Sequence, residues 1–459
     1  MEATQTIHGK IKPSSAFVIK ISIVAALGGL LFGYDTAVIA GAIGPLTTKF
    51  NLSPAMVGWA VSSAIWGCVF GAMTAGYMSD RWGRKKVLII TAVLFTISAI
   101  GSAIPNSLFT FVIARFIGGL GIGAASMLSP LYIAEIAPSD KRGRLVTLYQ
   151  LAIVIGINLI YYVNMKIAAA GDEAWNIEIG WRYMLGSGTL PALLFFVLLF
   201  FVPESPRWLI KRNRDDEAVD TLERVNGTDN ANEIYKEIKS TLNEESGTVS
   251  ELFAPGLRRA LIIGIVLALF SQITGINAII YYAPEIFKSA GLASGSALAQ
   301  TFLIGIVNTV FTFVALWLID IVGRKKLLLW GVSGMIICLL GTGLCFYLNI
   351  VGGIWLLVFI LGYIASFACS LGPIPWVIMS EIFPTKIRGI AMSFATLILW
   401  IGVVLITQLT PMLLESVGGA FTFWIFMVNA VILVIFTWLK IPETKNRTLE
   451  EIERSWKQH

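Results

Sequence analysis

The chain has 459 residues, 14% of them charged and 56% hydrophobic, with 43 glycines. A soluble chain is normally about a quarter charged, so water is not its main solvent. The formal charge of +6 is spread over short loops between apolar stretches, which excludes a nucleic-acid-binding patch. The four cysteines (Cys68, Cys338, Cys345, Cys369) lie in apolar stretches without paired spacing, which excludes a disulfide framework or a zinc site.

A bilayer core takes about 20 apolar residues per helix. Met1 to Lys20 is polar and the first apolar run, from about Phe17, is long enough to stay as an anchor, so no cleavable signal peptide is expected. Phe50 to Ser79, Val87 to Ala114, Leu145 to Met165 and Tyr183 to Val202 carry no Asp, Glu, Lys or Arg, and a fourth helix begins near Leu108. Ala260 to Pro284, Ser289 to Ile319, Gly389 to Leu414 and Ser416 to Leu439 are equally free of charge. Leu327 to Ser380 is long enough for two spans, with Asn349, Gly352 and Gly353 offering the break. The expected fold is an all-α membrane protein of twelve transmembrane helices.

An even number of spans puts both termini on one side. That side holds Arg81, Arg84 to Lys86, Lys141 to Arg144, the stretch 203–259, Arg324 to Lys326, Lys386 and Arg388, against Lys49, Lys166, Arg182 and Lys288 opposite. The positive-inside rule then makes both termini cytoplasmic, in a cell or bacterial inner membrane.

The chain also repeats itself. Asp80, Gly83 and Arg84 to Lys86 return in order as Asp320, Gly323 and Arg324 to Lys326. Glu135, Pro138, Arg142 and Gly143 return as Glu381, Pro384, Arg388 and Gly389, and Pro203-Glu204-Ser205 as Pro442-Glu443-Thr444. Near-equal spacings imply two homologous six-helix halves, 1–202 and 260–440, with a linker at 203–259 and a tail at 441–459. Two halves related by an axis along the membrane normal place a site between them. Within the linker, Asp215 to Gly227 and Asn232 to Asn243 have the apolar spacing of short surface helices.

No Gly-x-x-x-x-Gly-Lys-Ser/Thr loop occurs, so any transport is secondary, and no nucleophile, base or metal constellation suggests an enzyme or a cofactor. Gly118 to Gly123 imitates a dinucleotide loop but sits inside an apolar span, where glycines let helices approach. Two ionisable side chains lie deep in the spans, Asp35 and Arg115. At 1.5 Å per residue they sit roughly 22 Å in from one face and roughly 15 Å in from the other. In a core of about 30 Å these depths are close enough for an ion pair. Such a pair is either a static bridge or a proton switch in which a protonated carboxyl releases the arginine. Both histidines, His8 and His459, are terminal and do not compete for the proton.

Gly28 to Thr36, Arg115 to Gly123, Pro130-x-Tyr-x-x-Glu135-x-x-Pro138 with Arg142-Gly143, and Pro203-Glu-Ser-Pro-Arg-Trp-Leu209 resemble the sugar porter family of the major facilitator superfamily. So do Gln272-x-x-Gly-Ile-Asn277 with Tyr281-Tyr282, Pro375-Trp376 and Pro442-Glu-Thr444, and Gly180 to Tyr183 is most similar to bacterial xylose/proton symporters. The resemblance implies a monosaccharide (hexose or xylose) carried with protons by alternating access, with no obligatory protein partner. A facilitative uniporter is the alternative, then a cyclitol (inositol) symporter or a membrane sugar sensor. The family's proton symporters carry an acid where this chain has Asp35, and its uniporters generally lack it.

The resemblance assigns sugar-contacting roles to Gln150, Gln272, Asn277 and Asn308, and an aromatic lining to Phe32, Tyr281, Trp376 and Trp400. Amides both donate and accept, which suits hydroxyl rims. It also implies a cytoplasmic gate, in which Asp80, Arg84, Glu135, Arg144 and Glu204 face Asp320, Arg324, Glu381, Arg388 and Glu443. Ser271 stands where the family often has a Gln and Leu399 where its xylose symporters have an amide, which leaves a less polar pocket and suggests a hexose at least as readily as xylose.

Overall fold

The computed structural model describes residues 15–138, 141–241, 249–254, 257–291, 293–351, 354–383 and 387–445. Hydrocarbon offers no partner to a backbone N–H or C=O, so a crossing segment must satisfy its own, and the helix does so within one segment. Among the described residues, twelve helices are long and apolar enough to cross a membrane: Ser15–Phe50, Pro54–Trp82, Arg84–Ala103, Leu108–Ile136, Arg142–Ala168 and Glu173–Leu199, then Arg258–Ser289, Gly295–Ile319, Arg324–Tyr347, Ile354–Met379, Gly389–Ser416 and Gly418–Lys440. They are called the first to twelfth spans below. The break expected between the ninth and tenth falls at Asn349, which takes a positive φ, while Gly352 and Gly353 lie outside the described residues.

Large apolar side chains such as Phe109, Leu190 and Phe201 point outward, as a lipid-facing surface requires. Without a hydrophobic drive between helices in lipid, close backbone approach supplies the packing. Glycine permits it: a Cβ on Gly119 or Gly123 of the fourth span would overlap the carbonyls of Ala64 and Cys68 in the second. Gly33 and Gly156 join the first and fifth spans in the same way. The glycine-rich run is thus a packing surface.

The seventh span is broken. Its helix stops at Ile273 and resumes at Ile276, with Gly275 between at φ 100°, a left-handed conformation that a Cβ disfavours. The break strands carbonyls in the core, and two distant side chains reach them. Tyr363 of the tenth span donates to Thr274 O at 3.0 Å, and Asn429 of the twelfth to Ile273 O at 3.2 Å.

Between the halves, the linker forms helices Pro206–Lys211, Asp215–Asn226 and Thr228–Thr241 around a small core of Trp208, Leu209, Leu222, Ala231 and Ile238. The second matches expectation, the third begins four positions early, and the first went unforeseen because it is only six residues long. Trp208 Nε1 donates to Asp80 O at 2.9 Å, which fastens the linker to the first half.

Contacts joining the halves gather at mid-depth and at the end remote from the termini. Ser62 Oγ of the second span donates to Gln408 Oε1 of the eleventh at 2.9 Å, and Gln408 Nε2 donates to Ala55 O at 3.1 Å. Tyr161 of the fifth span donates to Ile280 O of the seventh at 2.7 Å. The molecule is therefore closed at that far end.

Candidate functional site

Asp35 and Arg115 meet inside the first half. Arg115 Nη1 donates to Asp35 Oδ1 at 2.8 Å and Nη2 to the Asp35 backbone carbonyl at 3.0 Å. The arginine side chain is only 2% exposed and the carboxylate 14%. Breaking a buried pair by removing one partner costs about 3–5 kcal/mol, since the other charge stays uncompensated. Protonating Asp35 removes the charge without removing the group.

One turn earlier on the same helix, Phe32 packs on Trp400 of the eleventh span with ring centroids 5.6 Å apart. This contact crosses between the halves, and two residues beyond Trp400 the Gln272 side chain packs against Gly402. Asn277 Nδ2 donates to Gln272 Oε1 at 2.6 Å across the break in the seventh span. Gln272 Nε2 in turn donates to Ser271 Oγ at 2.9 Å, and Ser271 donates to Ala268 O at 2.8 Å. The left-handed residue Gly275 makes this possible, because it turns the second helix so that position 277 returns to position 272. Ser271 is thus a group that orients Gln272. Its signal in the sequence was read only as a loss.

The remaining expected contacts are less tightly joined. Asn308 is buried, while Gln150 and Trp376 are half-buried; none of the three makes a hydrogen bond or ring contact to the Gln272 group among the described residues. Tyr281, at 1% exposure, is a core residue in this conformation rather than part of an open lining. Trp400 is buried with its Nε1 unpartnered. Asn429 and Tyr363, which cap the broken helix, were missed. An isolated amide in an otherwise apolar twelfth span was the available sign.

The charged clusters at the terminal end are built alike. Arg84 forms a two-pronged bond to Glu135 at 2.9 and 3.0 Å and reaches Asp80 at 3.1 Å. Glu204 accepts the backbone N–H groups of Arg84, Lys85 and Ser205 at 2.9, 3.1 and 2.8 Å, capping the third span. In the second half Arg324 reaches Glu381 at 3.1 Å, and Glu443 accepts from Arg324 N and Lys325 N at 3.0 and 3.1 Å. Burial pushes the Glu204 carboxyl above its ordinary range, although the three N–H donors and nearby Arg84 pull the other way.

The expectation that the two clusters face each other needs correcting for this conformation. The ion pairs of theirs that the described residues show tie Arg84 to Asp80 and Glu135 within the first half, Asp80 to Lys211 of the linker, and Arg324 to Glu381 within the second half. Arg144 is exposed and enters none of them, and the side chains of Asp320 and Arg388 lie outside the described residues.

Comparison with known proteins follows the same lines. The family model described as Sugar (and other) transporter matches residues 21–456. The arabinose-proton symporter of Bacillus subtilis (strain 168) is 48% identical over 96% of each chain. The xylose transporter XylE from E. coli, solved in an inward open conformation, superposes with a TM-score of 0.86 at 41% identity, over 96% of this chain and 100% of that one. The proton:xylose symporter XylE bound to 6-bromo-6-deoxy-D-glucose, also 41% identical, covers 96% of this chain and 99% of its own with a TM-score of 0.79.

Proposed function

We propose a function from one premise: the chain belongs to the Sugar (and other) transporter family. It is a secondary transporter that imports a monosaccharide together with protons by alternating access. The observation that carries this reading is the buried Asp35–Arg115 pair, set one helical turn from the Phe32–Trp400 contact between the halves. When Asp35 is ionised, Arg115 holds the first span to the fourth. A proton on Asp35 weakens that tie and frees the first span to move Phe32 against Trp400. Sugar held by Gln272 and Asn277 lies on the other side of the same contact, so proton and sugar bias one motion.

Closure at the far end and the better superposition on the inward open structure support an inward-facing state with cytoplasmic termini. Cysteines placed near Gly83 or Gly323 should be labelled only from the cytoplasm and one at Gly171 only from outside. In this reading the charged clusters latch the terminal ends together when the site faces outward. Relatives named for arabinose and xylose favour a pentose as substrate. The loss of two amides at Ser271 and Leu399 favours a hexose as the second reading.

Uptake of labelled arabinose, xylose, glucose, galactose and inositol into proteoliposomes, with and without a proton gradient, tests the proposal. Concentrative uptake of one sugar that a protonophore abolishes is the expected result. Uptake indifferent to the gradient would identify a uniporter instead.

A further inference from the structure

Asp35 bonds Arg115 through Oδ1, while its second oxygen, Oδ2, is buried and unpartnered. Two hydroxyls near it share that condition. Intramembrane Ser and Thr usually bond a carbonyl of their own helix, as Thr91 and Thr96 of the third span do at 2.7 and 2.9 Å. Ser98 and Ser102 of the same span do not, although they are 0% and 1% exposed. Ser98 Oγ and Asp35 Oδ2 converge on Gly118 of the fourth span. A Cβ there would overlap Ser98 Oγ and stand 3.8 Å from Asp35 Oδ2. Ser102 is one turn, about 6 Å, further towards the far end, where the third span finishes at Ala103.

We propose that Ser98 and Ser102 form a proton access route to Asp35 Oδ2 that runs between the first, third and fourth spans, apart from the sugar cavity. The idea rests on the proton-coupled reading above. A hydroxyl accepts one proton and donates another, so a proton taken up at Ser102 passes to Ser98 and then bonds Oδ2. The carboxylate becomes a neutral acid, and each serine regains its own hydrogen. Gaps too long for a direct bond are bridged by single water molecules. Oδ2 and both hydroxyls have no protein partner, so each is free to take up such a bond. The titratable and charged groups around this seam include Tyr34 of the first span, bonded to Ser187 of the sixth at 2.8 Å, Arg115 of the fourth, Cys68 of the second, Tyr281 of the seventh, and Arg182 of the sixth, which donates to Ala103 O at 2.9 Å.

The test compares sugar-driven proton influx with sugar exchange at equal pH in proteoliposomes loaded with a pH-sensitive dye. Ser98→Ala and the Ser98→Ala, Ser102→Ala double variant should slow proton influx at least about fivefold, the lower end of the loss expected of one buried hydrogen-bonding group. Exchange should persist and so report folded protein. Gly118→Ala, which pushes the Ser98 hydroxyl aside without deleting it, should act likewise, and Ser98→Thr should retain the wild-type rate. A double variant with wild-type proton influx overturns the route and leaves symport standing. A wild-type protein that moves sugar without protons overturns both.

Discussion

In the first half, glycines set one helix's backbone against another's: Gly119 and Gly123 meet carbonyls of the second span, and Gly33 and Gly156 lock the first to the fifth. In the second half several glycines of the ninth and twelfth spans meet aromatic rings. Gly341 faces the Phe359 ring, Gly343 the Trp424 ring and Gly419 the Phe346 ring. The second half also contains the break at Gly275 and a non-helical turn at Ser370 to Pro373 in the tenth span. Backbones in contact cannot slide, whereas rings can turn. One half is therefore a rigid frame that holds a charge pair, and the other a jointed bundle that presents amides to a ligand.

If the halves divide labour in this way, Asp35→Asn should abolish accumulation against a gradient and leave exchange between vesicle faces measurable, because the amide mimics the protonated acid. A variant that still concentrates sugar would end the division. Arg115→Ala should impair all modes, with a folding cost of about 3–5 kcal/mol visible as lost folded yield.

On the other side, Gln272→Ala and Asn277→Ala should weaken sugar binding by roughly five- to a hundredfold, the equivalent of about 1–3 kcal/mol. Titration calorimetry measures it, and the number of protons moved per sugar should not change. A changed ratio would mean that coupling is shared by both halves.

The packing contrast is tested by adding methyl groups. Gly119→Ala should lower stability by about 1–3 kcal/mol, since neither backbone can retreat, and Gly341→Ala by less than about 1 kcal/mol, since Phe359 can swing away. Melting in detergent reads both. Equal losses would show that the two halves are equally rigid.

The smallest effect concerns Glu204. Its raised carboxyl pKa means that the fold favours the protonated acid, so this contribution to stability is complete below the unfolded value of about 4.5 and is lost as pH rises through the folded value. Glu204→Gln should flatten that part of the melting profile. An unchanged slope would assign it to another group.

Much of this was legible in one dimension. Hydropathy located the spans, because a bilayer imposes length and composition on each segment separately. Returning motifs revealed two halves, and two isolated charges at similar depth indicated the Asp35–Arg115 pair. The clusters around Arg84 and Arg324 were legible as charges but not as partnerships, since each alternating state offers different neighbours.

What the sequence determined by itself was thus whatever a single segment must satisfy in lipid: helix length, intramembrane charge and repeat order. Tertiary structure alone decided that Ser271 and Asn277 orient Gln272, that Tyr363 and Asn429 cap the broken seventh span, and that the far end is closed. The first depends on a helix break that brings residues five apart face to face, and the others on groups in remote spans meeting within about 3 Å. A chain built to occupy two arrangements carries in its sequence the interactions of both.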